Sequence, residues 1–139
     1  MIHKNCKQLL AEANAVIETV AASDAIKELG KQHVVFVDLR DQPELDRYGK
    51  IPGAVHASRG MLEFMVDPDS SCHQSVFAKE RRFVLYCAAG ARSALAAQRL
   101  QELGLTQVAH IGGGIQAWKH AGGPIEQVKQ WGLLQWIRP

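Results

Sequence analysis

The sequence has little with which to build a disulfide framework or a zinc site. Its 139 residues include only three cysteines, Cys6, Cys72 and Cys87, and no two of them form a C-x-x-C pair. An odd and sparse set of this kind is typical of a reducing compartment, so we expect a cytoplasmic protein. The six histidines match no metal-ligand spacing, and we expect no metal site.

Long apolar runs and clusters of one charge are also missing. No segment approaches the roughly 20 apolar residues of a membrane-spanning helix, and the first residues lack the apolar core of a signal peptide. The formal net charge is +2, and the largest basic cluster is Arg81-Arg82. A balance this even predicts neither a nucleic-acid partner nor a membrane partner.

The composition that remains is that of one globular domain. Apolar residues make up 47% of the chain and charged residues 22%, which is ordinary for a soluble protein. Short β-prone runs alternate with segments of helical spacing, and this alternation predicts an α/β fold with a mainly parallel sheet. Val34–Asp38 is the clearest strand, apolar on both faces as the central strands of parallel sheets are.

One stretch joins a strand to a helix through a short turn that carries a cysteine. Phe83–Tyr86 is an apolar run typical of a buried strand, and from Ala96 to Leu103 the apolar residues recur at helical spacing. Between them lies the cysteine loop, Cys87-Ala88-Ala89-Gly90-Ala91-Arg92-Ser93. A loop that opens a helix points backbone N–H groups and the positive helix end at one spot. Because that spot holds a thiol, we predict a site for an anionic sulfur.

The residue types of the cysteine loop suit a nucleophilic sulfur. The thiolate is the nucleophile, and converging N–H groups, the helix end and Arg92 would all favour the anion. Arg92 is the one charged side chain of the loop, and we expect it to attract an anionic donor. We expect Ser93 to cap or tighten the loop. The remaining members are small and leave the backbone open to the sulfur: Ala88, Ala89, Gly90 and Ala91.

Three further segments flank this loop in a recognisable order. They are Val37-Asp38-Leu39-Arg40, Gly49-Lys50-Ile51-Pro52-Gly53-Ala54 and Gly112-Gly113-Gly114-Ile115-Gln116-Ala117-Trp118. Together with the loop they closely resemble the rhodanese (thiosulfate sulfurtransferase) domain, as a single copy from about Val20 to Pro124. The resemblance implies a three-layer α/β fold with a mainly parallel central sheet flanked by helices. We expect a helical extension at 1–15, the rhodanese domain at 16–124 and an apolar tail at 125–139 that docks on the domain or on a partner.

The resemblance also implies a sulfurtransferase that works by double displacement. Sulfane sulfur would pass from thiosulfate, a persulfide or a polysulfide to Cys87, and then to a thiol or cyanide acceptor. The intermediate would be a covalent persulfide on Cys87, without any cofactor. The partners would be these small molecules, with a protein thiol as a further acceptor. Asp38 and Arg40 are expected to support the site structurally.

Two departures from the family pattern bear on the sulfur donor. Lys50 stands where the family usually has histidine before Ile-Pro-Gly-Ala, a change that we expect to matter little at the site. The loop has alanine at 88, 89 and 91, so its rim carries little charge. Such a rim selects poorly for thiosulfate, and the donor could instead be a persulfide or polysulfide.

Two other functions fit parts of the pattern. A phosphatase or arsenate reductase of the related dual-specificity type shares the strand–cysteine loop–helix arrangement, but five residues separate its cysteine from its arginine. Here four residues separate Cys87 from Arg92, and the tighter loop suits one sulfur atom better than a tetrahedral oxyanion. The other alternative is a non-catalytic interaction module, which would be expected to have lost the cysteine. The oligomeric state and the roles of Cys72 and the tail are not predicted by the sequence.

Overall fold

A central parallel sheet organises the protein. The computed structural model describes residues 1–78 and 80–128, and within them five strands form one sheet in the order β1-β5-β4-β2-β3. The strands are β1 Glu18–Val20, β2 Val34–Asp38, β3 Val55–His56, β4 Arg82–Tyr86 and β5 Val108–Ile111. Every neighbouring pair runs parallel, which confirms the predicted sheet.

Helices cover both faces of this sheet. In the described ranges the α-helices are α1 Cys6–Val16, α2 Ala22–Glu28, α3 Gln42–Tyr48, α4 Leu62–Val66, α5 Ala91–Leu103 and α6 Gly114–His120. Short 3-10 turns lie at Arg59–Met61 and Ser75–Ala78. None of the described helices is both long enough and apolar enough to cross a membrane. A parallel sheet with helices on both faces confirms the expected three-layer α/β fold.

The core has two halves because alternate residues of a strand point to opposite faces of the sheet. On one face the strands pack against α4 and α5, with Val35, Val37, Phe83 and Leu85 at the contact. On the other face Phe36, Val84 and Tyr86 pack with residues of α2 and α6. Strands buried on both faces must be apolar throughout, which explains the uninterrupted runs at β2 and β4.

Trp118 of α6 belongs to the second half of the core. Its side chain is fully buried and meets the Phe36 ring edge-on, with 5.6 Å between ring centroids. The indole N–H donates to the carbonyl of Pro124 at 2.8 Å, so the polar edge of the ring is also satisfied. This anchor holds α6 against the sheet.

The helix predicted in the N-terminal extension is present as α1. Asn5 and Gln8 form a capping box, in which each side chain accepts a hydrogen bond from the other residue's backbone N–H, at 2.9 and 2.8 Å. The helix packs on α5 and buries Ala13. It therefore lies beside the cysteine loop, which opens α5.

The start of the predicted tail also contacts the domain. Glu126 pairs with Lys50 in an antiparallel bridge, with backbone hydrogen bonds of 2.9 and 2.8 Å. Ile125 packs against the second half of the core. The tryptophans and leucines of the predicted tail fall in 129–139 and lie outside the described residues.

Candidate active site

Cys87 lies at the carboxyl end of β4, immediately after the buried Tyr86. Strands β2 and β5 flank β4, so the end of this strand is enclosed on both sides. Only 1% of the Cys87 surface is exposed. The carboxyl edge of a parallel sheet is where α/β proteins collect their ligands, and the thiol occupies the middle of that edge.

Two backbone N–H groups donate to the sulfur of Cys87. The N–H of Gly90 lies 3.2 Å from Sγ and that of Ser93 lies 3.4 Å from it. Both belong to the start of α5, where the helix dipole adds positive potential. Donors of this kind stabilise a sulfur anion relative to the neutral thiol. The sequence predicted such a convergence of N–H groups, and the geometry agrees.

The loop itself is shorter than predicted. Helix α5 begins at Ala91, so Ala91, Arg92 and Ser93 form its first turn, and only residues 87–90 connect strand and helix. Gly90 is the N-cap residue at a φ of 109°, a left-handed conformation that costs a side chain-bearing residue about 1 kcal/mol or more. The expectation placed the helix start too late because the apolar periodicity begins only after the first turn.

The loop carbonyls are held by the amino end of α6. The N–H groups of Ile115 and Gln116 donate to the carbonyls of Cys87 and Ala88, at 2.9 and 3.2 Å. Gly114 permits this close contact, because a Cβ at that position would lie 2.5 Å from both carbonyl oxygens. Since the carbonyls are bound on this side, the N–H groups of the loop are free to face the sulfur. This is the physical role of the glycine-rich motif.

A chain of side-chain hydrogen bonds extends from the sulfur to β1. Ser93 Oγ lies 3.5 Å from Cys87 Sγ and 2.9 Å from His110 Nδ1, and His110 Nε2 lies 3.0 Å from Thr19 Oγ1. His110 is 3% exposed, and its burial lowers its pKa below the ordinary value. Neither His110 nor Thr19 was predicted from the sequence as a site residue. The available signal was a polar residue inside the apolar strand Val108–Ile111.

Arg92 lies at the rim but is already paired. Its guanidinium makes two hydrogen bonds to the carboxylate of Glu44 in α3, at 2.9 and 2.8 Å. The hydrogen bonds from Arg92 are the main cause that lowers the pKa of Glu44 to about 2, and burial opposes them. Glu44 was not foreseen as a neighbour of the site. The role of Arg92 in attracting a donor stays a prediction.

Asp38 and Arg40 form a buried ion pair at the end of β2. Arg40 donates to both carboxylate oxygens of Asp38, at 3.0 and 2.8 Å, and to the carbonyl of Gly49 at 2.7 Å. Burial lowers the pKa of Arg40, but the hydrogen bonds and charge of Asp38 outweigh it and the net change is upward. The ion pair thus links the motif that ends at Arg40 to the motif that begins at Gly49. Its hydrogen bond outside the pair goes to the backbone, and none of its hydrogen bonds goes to the sulfur of Cys87.

Tyr86 completes this structural cluster. Its hydroxyl accepts a hydrogen bond from the N–H of Ile51 at 3.1 Å. Burial, followed by the charge of Asp38, raises its pKa well above the ordinary value, so the phenol stays neutral. The segment from Gly49 to Ala54 is therefore tied to the strand that ends at Cys87.

Two open clefts flank the cysteine loop. One, of about 330 Å³, lies between α1 and the loop and is lined by uncharged groups and His110: Leu10, Asn14, Thr19, Ala89, Gly90, Ala91, Gly112 and Gly113. The other cleft, of about 320 Å³, is lined by the charged residues Arg40, Glu44 and Lys119. Its uncharged lining residues are Tyr48, Ala88, Ile115 and Gln116. Small molecules can therefore approach the loop from a neutral side and from a charged side.

The other two cysteines do not share the burial of Cys87. Cys6 and Cys72 are free and exposed. In residues 1–78 and 80–128, no three His, Cys, Asp or Glu side chains come together as a metal-binding group.

Comparison with known proteins places this geometry in a family. The family model described as Rhodanese-like domain matches residues 21–121. A sulfurtransferase of Allochromatium vinosum is 33% identical over 94 residues, which cover 68% of this chain and 79% of that protein. Among solved structures, the Wolinella succinogenes polysulfide-sulfur transferase homodimer is 29% identical with a TM-score of 0.68, over 89% of this chain and 88% of that one.

A further solved structure is more similar in sequence. A Rhodopseudomonas palustris CGA009 protein of unknown function, described as a possible tyrosine phosphatase, is 51% identical with a TM-score of 0.88. The match covers 91% of this chain and 97% of that one. From the family match and the sulfurtransferase relative, we conclude that the chain belongs to the rhodanese-like domain family.

Proposed function

We propose that the protein is a sulfurtransferase that carries sulfane sulfur as a persulfide on Cys87. The observation that carries this proposal is the position of Sγ, 3.2 and 3.4 Å from the N–H groups of Gly90 and Ser93. A cradle of backbone donors is suited to an anionic sulfur in every state of the cycle. The family membership and the name of the Allochromatium relative support the same reaction type.

The first half-reaction loads the cysteine. The Cys87 thiolate attacks the sulfane sulfur of the donor and forms a new S–S bond. The bond between that sulfur and the rest of the donor breaks, and the leaving group takes the electron pair, as sulfite from thiosulfate or as a thiolate from a persulfide. The outer sulfur of the resulting persulfide carries the negative charge.

The second half-reaction returns the cysteine to its starting state. A thiolate or cyanide attacks the outer sulfur, and the S–S bond to Cys87 breaks with its electron pair on Cys87 Sγ. The products are a new persulfide or thiocyanate and the free Cys87 thiolate. No cofactor enters this cycle, and free exposed thiols at Cys6 and Cys72 fit a reducing compartment such as the cytoplasm.

The charge at the rim gives thiosulfate little advantage over a persulfide or polysulfide as the donor. Arg92 is the charged member of the cysteine loop, and both of its hydrogen-bonding arms are directed at Glu44. A paired guanidinium attracts a dianion less strongly than a free one. The similarity to a polysulfide-sulfur transferase points the same way.

A phosphatase is the second candidate because a 51% identical protein is described as a possible tyrosine phosphatase. Two features of this chain argue against it. Four residues separate Cys87 from Arg92, one fewer than in C-x5-R phosphatases. In addition, the guanidinium that would have to bind the phosphate oxygens is held by a carboxylate. Hydrolysis of p-nitrophenyl phosphate by the wild type but not by Cys87→Ser would overturn our choice.

Intact-mass spectrometry after incubation with polysulfide or thiosulfate tests the proposal. We expect a gain of one sulfur atom that maps to Cys87, is absent in Cys87→Ser and persists in the matched control Cys72→Ser. Addition of cyanide should restore the original mass and release thiocyanate. A gain confined to Cys72 would contradict the assignment. Absence of a gain with every donor would favour the interaction module instead.

A further inference from the structure

We propose that His110 accepts, through the hydroxyl of Ser93, the proton that Cys87 loses when it becomes a nucleophile. His110 does not touch the reacting sulfur, so it acts as a positioning and proton-accepting residue behind it. The proposal rests on the sulfurtransferase function, because it describes how the same thiol is activated. It gives a task to a buried histidine that the sulfur-transfer steps leave unused.

The contacts form an unbroken path from the sulfur to the surface. Cys87 Sγ and Ser93 Oγ are 3.5 Å apart, and Ser93 Oγ and His110 Nδ1 are 2.9 Å apart. All three residues are buried. Beyond them, His110 Nε2 lies 3.0 Å from the hydroxyl of Thr19, an exposed residue that lines the neutral cleft. A proton that reaches the imidazole therefore has a hydroxyl contact toward solvent.

The relay requires the tautomer of His110 that carries its N–H on Nε2, and not the one in which Ser93 donates to the carbonyl of Gly90, 3.3 Å away. A neutral imidazole has one N–H and one lone pair. With the N–H on Nε2, it donates to Thr19 Oγ1, and the lone pair on Nδ1 accepts from the hydroxyl of Ser93. The lone pairs of Ser93 Oγ are then available to the S–H of Cys87.

The proton transfer balances within these groups. The S–H proton of Cys87 passes to Ser93 Oγ, while the original hydroxyl proton of Ser93 passes to His110 Nδ1. The result is a thiolate, a neutral serine and an imidazolium, with no change in any bond between heavy atoms. The hydroxyl of Ser93 now points at the thiolate and joins the N–H groups of Gly90 and Ser93 as a third donor.

The surroundings of His110 suit a base that must be neutral at rest. Burial lowers the pKa of His110, so the imidazole keeps its lone pair at neutral pH. Of the elements packed against it, β4 presents Leu85 and α5 presents Ser93. The charged groups nearby are already paired, Glu18 of β1 with Arg82 and Arg92 with Glu44. The positive charge that His110 gains with the proton would therefore be balanced by the negative charge of the Cys87 thiolate.

The test measures Cys87 alkylation, which does not require sulfur transfer. In a Cys6→Ser, Cys72→Ser background, the rate of alkylation by iodoacetamide is followed from pH 5 to pH 10 by intact mass. In His110→Asn, the amide can still accept from Ser93 but cannot take a proton. We expect the midpoint of the profile to rise by about one pH unit, which means about a tenfold lower rate at neutral pH.

Ser93→Ala interrupts the same path while leaving the histidine in place. We expect a similar rise of the midpoint, and in the double variant no further rise, because two breaks in one path have the effect of one. The matched control is His73→Asn. His73 is partly buried, whereas His110 is fully buried, but it too has a hydrogen bond, to the carbonyl of Met65 away from the loop. Its replacement should leave the midpoint unchanged.

The outcomes separate this inference from the function on which it rests. An unchanged midpoint in His110→Asn, or additive shifts in the double variant, would overturn the relay even if persulfide formation is observed. Shifted, non-additive midpoints in a protein that gains no sulfur from any donor would support the relay and reject the transferase. Should His110→Asn fail to fold, as judged by circular dichroism, an unchanged midpoint in Ser93→Ala alone would still contradict the proposal.

Discussion

Two buried polar clusters stand at the same edge of the sheet and differ in how their hydrogen bonds are used. One is the Asp38–Arg40 ion pair at the end of β2. The other is the chain Cys87–Ser93–His110, which joins the end of β4 to β5. Both are almost completely removed from solvent.

The ion pair is closed. Both oxygens of Asp38 accept from Arg40, and the remaining hydrogen bond of the guanidinium goes to the carbonyl of Gly49. In the described part of the chain, no buried side-chain nitrogen or oxygen lacks a hydrogen-bond partner. These hydrogen bonds fix both charges to the backbone at the end of β2 and do not reach Cys87, although Arg40 also lines the charged cleft.

The sulfur cluster is neutral and open. Its thiol, hydroxyl and imidazole can exchange donor and acceptor roles, and one end reaches the neutral cleft through Thr19. The contrast indicates that charge and burial alone do not distinguish the proposed reactive site from a structural ion pair. Protons that can be redistributed, next to an open cleft, are the better guide.

The largest effect on stability is expected when the closed pair is broken. Asp38→Asn leaves the buried charge of Arg40 without a counter-charge, which should lower the free energy of unfolding by about 3–5 kcal/mol. Urea unfolding followed by fluorescence would measure it. Cys87→Ser should change stability by less than about 1 kcal/mol, because it leaves the packing nearly intact.

A surface pair provides the control for this comparison. Lys4 and Glu12 also form an ion pair, at 2.8 Å, but both side chains are half-exposed. Glu12→Gln should cost less than about 0.5 kcal/mol. If Asp38→Asn proved as mild as Glu12→Gln, the buried pair would not have the structural role that we assign to it.

The next effect concerns the contact between α6 and the loop. Gly114→Ala places a methyl group against the carbonyls of Cys87 and Ala88 and requires a side chain at a φ of 62°. We expect a loss of about 2 kcal/mol in stability and at least a tenfold slower persulfide formation, because the loop must move. Mass spectrometry and urea unfolding give the two values.

Gly104→Ala separates backbone strain from displacement of the loop. Gly104 also has a positive φ, of 108°, but a Cβ there would have no heavy atom within 4 Å. It should lose about 1 kcal/mol of stability and form the persulfide at the wild-type rate. Equal losses of activity in the two variants would show that α6 does not hold the loop in its working shape.

The parts of the molecule that the sequence predicted are those set by local pattern. The runs at Val34–Asp38 and Phe83–Tyr86 are apolar on both faces, so the parallel sheet and the position of Cys87 followed from them. The contact of Arg40 with Gly49 and the first turn of α5 did not follow. The first turn contains Ala91, Arg92 and Ser93, and because they show no apolar periodicity their sequence does not indicate a helix.

The missing site residues come from distant segments. His110 reaches the site because β5 pairs with β4 in a register that sets Leu85 opposite His110. Glu44 reaches it because α3 follows β2 and ends its first turn near the rim. Register and helix placement depend on packing of the whole domain, so spacing within the sequence placed neither residue at the site, and the signal for His110 was its polarity inside an apolar strand.

The buried histidine predicts a pH dependence of stability. Because burial lowers the pKa of His110, the unfolded chain binds a proton below about pH 6.5 that the folded chain does not. Stability should therefore decrease as the pH falls from 7.5 to 5.5, by up to about 1 kcal/mol from this group. The measurement is urea unfolding in a Cys87→Ser background, so that His110 titrates without the thiol.

Replacement of the histidine should remove this decrease. In His110→Asn the difference between pH 7.5 and pH 5.5 should shrink by the same amount. Glu44 does not interfere, since its lowered pKa of about 2 means that its stabilising contribution is lost only as the pH falls from about 4.5 toward 2. An identical pH dependence in both proteins would contradict a neutral, buried His110.

The smallest effect tests the pair at the rim, which is charged like Asp38–Arg40 but partly exposed. The side chains of Arg92 and Glu44 are 38% and 28% exposed, so solvent screens the pair. Glu44→Gln should lower stability by less than about 1 kcal/mol. It should also free Arg92 to attract thiosulfate and raise the rate of persulfide formation from that donor about threefold at low salt.

Salt and a second glutamate distinguish this effect from a general change of charge. The increase should disappear in about 0.5 M salt, where the attraction between an exposed cation and a dianion is screened. Glu63→Gln removes the same charge from a carboxylate that pairs with Arg59 and Arg99, and it should leave the thiosulfate rate unchanged. A rate that rises equally in both variants would mean that net charge, and not release of Arg92, controls the donor. A rate that rises in neither would mean that Arg92 does not attract the donor even when its counter-charge has been removed.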